Sequence, residues 1–550
     1  MSKIRILGLG GLDEKAKDLY VLEIDSKIFI LDSGVFEPFS SLLGINYFIP
    51  KIDYLKENID KVKGIFLSSP NRSMLGAIPQ ILKLFPKIKV YGSSITIKSL
   101  DVFFKDNFYV KKALKNVITE KDSLKIDDIL IRVIDLNGSC PGTLGYVFNT
   151  KDGNIFYLSS YIFDYIEEYK ISIFDHIKKY TIEKNLLLIS DSLNMNRNSS
   201  IYPLYKISRY IEKYFDEKKR IFITLYEDNI INIIEIIKLA KEYNRQIYIF
   251  DLEFLELLKI MIKEQKIPNF PFKKAMDLKS STLPEEVLII ISGTRSNLYH
   301  RIKSSLIEDN IYNLEIEKED IFIFACEPQP GNEAIFQNIT SEVSKIDPKT
   351  LILTEKDKIW IHPTQYDLKN YVGLLKPKFI MPVKGYYKEF IEARNILKSI
   401  GYKDDQVIIA ENGEIYEIND GNNMGILRKI KEVGEQVIEG MNDELIDSEI
   451  IKQRQELGKD GLLTIGCIVS KEQKYKVVSN MDIQMRGLIY IKNQEKLMQN
   501  LENEIKLIIE ENREDFILNR VQSIMVKRIN KILRLSIKKI PTIIIKIKQI

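Results

Sequence analysis

The chain has 550 residues, of which 45% are hydrophobic and 29% charged, and 81 Lys and Arg against 77 Asp and Glu leave a formal charge of +4. At about 150 residues per domain that length predicts several folded domains, and the composition excludes a disordered chain. Its three cysteines, Cys140, Cys326 and Cys467, lie far apart, and its three histidines, His176, His300 and His362, form no HxH or HxxxH pair. These counts exclude a disulfide scaffold, a thiolate zinc site and any metal centre built on several histidines. No apolar run approaches the ~18 residues of a membrane span, and MSKIRILGLGG lacks a signal-peptide layout. The expectation is a cytoplasmic protein without a membrane partner.

The first half alternates short β runs with turns and helices. KIRILGL, YVLEI, KIFILD, GIFLS and KVYG read as strands, followed by ILIRVIDL, YVFNT, NIFYLS and LLLIS. Helical spacing runs from Met74 to Phe85. RIFITLY, the helix NIINIIEIIKLAKEY, QIYIFD and EEVLIIIS continue an α/β pattern. Near the end, Leu497, Leu501 and Ile505 predict one face of a long helix, stopped at Lys538–Pro541 before a final strand, PTIIIKIK. Polar, acidic Met441–Gly461 reads as a linker. From Phe516 onward there are nine basic residues and no acidic one, leaving about −5 on the rest; such a module suits phosphates or an acidic partner, or is a solvated helix face.

Four features invite a functional reading. Gly8, Gly10 and Gly11 follow a first strand, but Asp13 stands where a dinucleotide fingerprint needs Gly or Ala, so a tight turn is expected. Asp32-Ser33-Gly34 ends a strand and either orients a site or caps a turn. After GIFLS, the loop with Ser69, Asn71, Arg72 and Ser73 can cradle an anion but has no histidine or carboxylate to hold zinc. EPQPGNE places Gly331, Asn332 and Glu333 in a loop suited to a ligand or to a plain turn.

These pieces, in this order, resemble the ribonuclease J family of metallo-β-lactamase/β-CASP ribonucleases. The resemblance runs almost end to end. It is carried by GLGGLDEKAKDLYVLEIDSKIFILDSG with Asp32, by LLLISDSLN with Asp191, Ser192 and Asn194, and by EPQPGNE, LKPKFIMPVKGYY and ENGEIYEI. GKDGLLTIG, MRGLIYI with Arg486 and Gly487, and KKIPTIIIKI extend it through the C-terminal region. It implies an α/β fold: a metallo-β-lactamase αββα sandwich over 1–200 and 356–440, a β-CASP insertion over 201–355, a linker over 441–460 and a small α/β domain over 461–550.

The resemblance also implies seven ligand positions for two zinc ions, and in this sequence none keeps its ligand. The loop positions are Ser69, Asn71, Ser73 and Met74; the others are Gly138, Ser160 and Lys384. Only the supporting Asp32 remains. Loss of the zinc, and so of any cofactor, is therefore expected, because two serines replace aspartates and Lys384 brings a cation that repels metal. Lys358-Ile359-Trp360-Ile361-His362 keeps only the final histidine of its motif. Asp228–Asn232 keeps Asn229, and Ser292-Gly293-Thr294-Arg295 keeps only a turn. His362, Lys384, Asn332 and Arg486 are the candidate RNA contacts, and His362 is otherwise a relic of the reaction. Trp360 either stacks a base or packs in the core. The leading expectation is an inactive paralogue acting as a structural or regulatory partner of an active ribonuclease J, or assembling with itself. The alternatives are a stand-alone RNA-binding pseudoenzyme and a metal-independent ribonuclease using His362 and Lys384.

Overall fold

The computed structural model describes residues 2–38, 45–167, 169–200, 206–277, 286–306, 315–328, 331–354, 357, 362–439, 444–446, 448–488 and 494–550. It divides into two compact units, Met1–Leu445 and Ile446–Ile550.

The first unit is built on strands whose residues are apolar on both faces, the pattern required when each face of a sheet is covered. In Leu144–Thr150, Tyr146 and Phe148 point into one core while Val147 points into another. In Lys27–Leu31, Phe29 and Leu31 alternate in the same way with Ile28 and Ile30. An eight-stranded sheet runs in the order Asn423–Lys429, Glu414–Asn419, Lys3–Gly10, Leu19–Ile24, Lys27–Leu31, Val62–Phe66, Lys89–Gly92, Leu114–Val117. A six-stranded sheet runs Phe379–Val383, Asn185–Asp191, Gly153–Leu158, Leu144–Thr150, Ile129–Asp135, Ser123–Ile126. Their inner faces share an aromatic core in which Phe148 lies 5.1 Å from Phe29 and 5.4 Å from Phe66, centroid to centroid. Helices Ile78–Leu84 and Ser94–Phe103 cover the outside of the larger sheet. Gln365–Leu375 and Tyr387–Ser399 cover the smaller. This is the αββα sandwich.

Between Asp191 and Phe379 the chain makes a separate layer. Six parallel strands lie in the order Lys273–Lys274, Gln246–Ile249, Val287–Gly293, Ile221–Tyr226, Ile321–Phe324, Lys349–Ile352. Helices Ile230–Glu242 and Leu252–Lys263 pack on one face, Arg295–Ser304 and Glu333–Ile346 on the other. The chain then re-enters the sandwich beside the strand it left: Asn185–Asp191 pairs in parallel with Phe379–Val383, Asp191 opposite Val383. That register places Asp191 and Lys384 at one sheet edge.

In the second unit, Leu462–Ser470 pairs with Lys476–Val477, Asp482–Arg486 and Thr542–Gln549. Two sequence expectations change here. The single long helix is two, Gln494–Glu511 and Leu518–Ile537, because Leu501 and Ile505 must share a core with Met525 and Ile529 and only a reversal permits it. The polar segment Asn512–Asp515 supplies the break. The stretch read as a linker carries the helix Ser448–Asp460, whose composition of Glu, Lys, Gln, Arg and Leu favours helix although it buries little.

One buried ion pair of the insertion joins Arg220 to Asp320. Arg220 is bound through Nε and a terminal nitrogen to both oxygens of Asp320, each at 2.6 Å. Replacing Arg220 by Met strands a buried carboxylate, so the insertion is expected to lose roughly 3–5 kcal/mol. Urea unfolding followed by circular dichroism measures this.

Candidate active site

The site forms where strand ends of the sandwich meet the C-terminal edge of the inserted sheet. The glycine turn after the first strand prepares it. Gly11 has φ +85°, and a Cβ there would lie 2.3 Å from the Tyr20 hydroxyl. The absence of a side chain lets Tyr20 donate to Gly11 O and to Asp18, at 3.0 and 2.9 Å. The expectation of a tight turn and not a nucleotide loop agrees with this geometry.

Asp32, at φ +59° and wholly buried, ties the two sheets together. One carboxylate oxygen accepts the Ser68 amide at 2.7 Å; the other accepts the Ser68 hydroxyl at 2.7 Å and the Tyr157 hydroxyl. Burial pushes its carboxyl up to about 6 despite these three donors. Asp191 shows the opposite balance. Burial raises its carboxyl, but the adjacent His362 ring and Lys384 ammonium hold it below the usual range. Its Oδ2 lies 2.7 Å from His362 Nδ1 and accepts the Ser160 amide at 3.2 Å, while Oδ1 accepts the Leu193 amide at 2.9 Å.

Lys384 enters this cluster from the re-entrant strand, at φ +59° with its amide bound to Gly11 O at 2.9 Å. Its Nζ lies 3.0 Å from Ser160 Oγ, 3.4 Å from Met74 Sδ and 3.5 Å from Asp18 Oδ2. Burial lowers its ammonium, but Asp18, Asp191 and Asp32 outweigh that and keep it above its ordinary value. A lysine held protonated cannot take a proton from Ser160, so this pair is no nucleophilic dyad.

The positions at which the resemblance places metal ligands are only partly gathered. Asn71, Ser73, Ser160 and Lys384 line a cavity of about 220 Å³ with His362, Asn194 and Arg72. Met74 touches it only through the lysine, and Ser69 is buried with its hydroxyl accepting the Asn71 amide at 3.4 Å. Asn71 is engaged by Ser139 and Cys140, at 2.8 and 2.7 Å. At Gly138 any Cβ would meet Thr143 Oγ1 at 2.3 Å, so the loop leaves no room for a side chain there. The residues present do not fit a zinc pair: they offer neutral hydroxyls, an amide, a thioether and an ammonium. Among the described residues no group of three or more His, Cys, Asp or Glu is arranged to hold a metal ion.

Other expectations fare unevenly. Arg72 does not stand open to an anion, since it is bound to Glu253 at 2.9 Å. Asn332 is buried ahead of the helix Glu333–Ile346, has no hydrogen-bond partner among the described residues for either side-chain polar atom, and does not line the cavity. Arg486 is exposed on a strand of the second unit. Trp360 and its neighbours 358–361 lie outside the described residues. Sequence reasoning missed Asp18, Tyr20 and Tyr157 as site residues; only their strand-end positions signal them. It also missed Glu227, in the cavity wall, whose carboxyl burial pushes up to about 8.

The raised carboxyl of Asp32 has a measurable consequence. The folded state holds a proton there between about pH 4 and 6 that the unfolded chain releases, so this contribution falls as pH rises through that window. Asp32→Asn is expected to destabilise by about 1–3 kcal/mol, because an amide NH₂ meets donors. The gap from wild type is expected to be widest near pH 4 and to narrow toward pH 7, as read from urea midpoints.

Comparison with known proteins supports the architecture. Residues 218–343 match the family "Ribonuclease J, beta-CASP domain", and residues 449–550 match "Ribonuclease J C-terminal domain". Ribonuclease J2 of Bacillus subtilis (strain 168) is 27% identical over 512 residues, covering 92% of this chain and 91% of its own. Ribonuclease J 2 of Staphylococcus aureus (strain NCTC 8325) is 25% identical, covering 100% and 98%. Ribonuclease J 2 of Streptococcus pyogenes serotype M3 is 25% identical, covering 91% and 90%. A crystal structure of a protein of unknown function from Enterococcus faecalis V583 shares the fold, with TM-score 0.51, 13% identity, and coverage of 76% of this chain and 100% of that one. The chain is thus similar to ribonuclease J proteins over nine-tenths or more of its length, with both ribonuclease J domain models matching in order.

Proposed function

We propose that this chain works in RNA processing and decay as a ribonuclease J-family protein without hydrolytic chemistry of its own, serving as structural or regulatory partner of an active ribonuclease J. The observation that carries this reading is the Lys384 ammonium set between Met74 Sδ and Ser160 Oγ, where three of the ligand positions given by the resemblance converge. Without a metal there is no metal-bound hydroxide to attack phosphorus at neutral pH. Residues that retain both domain types while replacing every ligand are explained most simply by surfaces that a partner uses.

The cavity's own charge favours this reading over a stand-alone RNA binder. Lys15, Arg72, Arg197 and Lys384 are matched in its lining by Asp18, Glu37, Asp228 and Glu327. A phosphate chain gains little from so balanced a wall. A metal-independent ribonuclease is disfavoured by the protonated Lys384, which leaves His362, fixed by Asp191, as the one candidate base of the pair.

Native mass spectrometry of the protein isolated gently from its own cells is expected to find it with an intact ribonuclease J that carries all the zinc. A homo-oligomer with two zinc ions per chain overturns the proposal. In a companion assay, the purified chain with added zinc is expected to leave 5′-monophosphorylated RNA uncut. Affinity for single-stranded RNA at low salt, lost steeply as salt rises, is the result that revives the RNA-binding alternative.

A further inference from the structure

We infer that the Lys384 ammonium is the permanent counter-ion of the buried carboxylate cluster, a side-chain charge that holds Asp18 and Asp191 in place and bars a divalent cation from the same spot. The inference rests on the ligand positions used for the proposed function and deepens that reading of the site.

Three observations carry it. An ammonium has three donors, and Nζ has three neighbours that accept: Ser160 Oγ at 3.0 Å, Met74 Sδ at 3.4 Å and Asp18 Oδ2 at 3.5 Å. The group is therefore spent inside the protein and does not reach for a ligand. Next, its side chain is 9% exposed and that of Asp18 3%, so each charge is costly without the other. Ser160 relays the same charge onward, since its hydroxyl lies 3.4 Å from Asp191 Oδ2. Finally, the backbone delivers the lysine on purpose-shaped geometry. Positions 384 and 385 both have positive φ, and their amides are bound to Gly11 O and Glu14 O at 2.9 and 3.0 Å. The re-entrant strand and the glycine turn thus fix where the stem begins. A divalent cation placed among Met74, Ser160 and Asp18 would sit against this ammonium with little solvent between them, and like charges at that separation repel strongly.

A double-mutant cycle on the full chain tests the pairing: Lys384→Met, Asp18→Asn and the two together, read by thermal unfolding. Lys384→Met is expected to lower the Tm by roughly 5–10 °C, the loss expected when one member of a buried pair is removed. The double variant is expected to unfold well above the temperature that additive losses give. Additive losses, or a Lys384→Met protein as stable as wild type, overturn the inference. Should Lys384→Met fail to fold, the double variant decides: a folded double supports the pairing, an unfolded one overturns it. Metal exclusion is tested on wild type dialysed against zinc chloride and then against buffer. Less than one zinc per chain with an unmoved Tm supports it; stoichiometric zinc with a raised Tm overturns it. Partner capture does not enter either readout, so this inference and the proposed function can fail separately.

Discussion

A carboxylate that cannot reach water must find donors or a cation, and this chain places three of them, Asp18, Asp32 and Asp191, at the strand ends of its sandwich. Each is answered differently. Asp32 takes three hydrogen bonds from Ser68 and Tyr157, Asp191 takes His362 and the Ser160 and Leu193 amides, and Asp18 takes the Tyr20 hydroxyl and the Lys384 ammonium. Because those partners come from both sheets, from the glycine turn and from the re-entrant strand, satisfying the charges also fixes the relative placement of the elements. The site is a structural knot before it is anything chemical.

That knot depends on one pairing. The chain leaves the smaller sheet after Asp191, builds a six-stranded parallel layer, and returns in register beside the strand it left. Parallel pairing brings the ends of both strands to the same edge, so residue 384 arrives next to residue 191 although 192 positions lie between them in sequence. The neighbouring parallel strand Gly153–Leu158 delivers Ser160 to that edge by the same rule. Ligands in open α/β sheets commonly bind beyond the carboxyl ends of the strands, and here the cavity opens there, between the sandwich and the insertion.

The cavity wall has the residue types of a polar binding site but not the charge imbalance of a phosphate channel. Arg72 is turned to Glu253, Lys384 to Asp18, and burial drives Glu227 toward its neutral form. The loop after Val62–Phe66, which in sequence offered an anion cradle, instead fills itself: Asn71 is held by Ser139 and Cys140, and Thr143 occupies the space a side chain at Gly138 would need. Direct contacts thus close this loop locally and leave no room for a larger side chain.

How much was legible beforehand follows from which forces are local. The alternation of Tyr146, Val147 and Phe148, and the apolar runs of Asn185–Asp191 and Ile221–Tyr226, fix strands wherever they lie, because burial on two faces leaves a one-dimensional record. Motif order over the whole chain carried the fold class. What the sequence left open was long-range. It showed one C-terminal helix where Leu501 and Met525 require two that double back, and it read Ser448–Asp460 as a linker since a helix with little buried surface leaves only propensity as its sign. Asp18, Tyr20 and Tyr157 looked like ordinary strand residues, and Arg72 like an open cation. Only the tertiary structure decides such roles, because a buried charge takes its pKa and its purpose from partners, and those partners are brought by sheet register from distant parts of the chain.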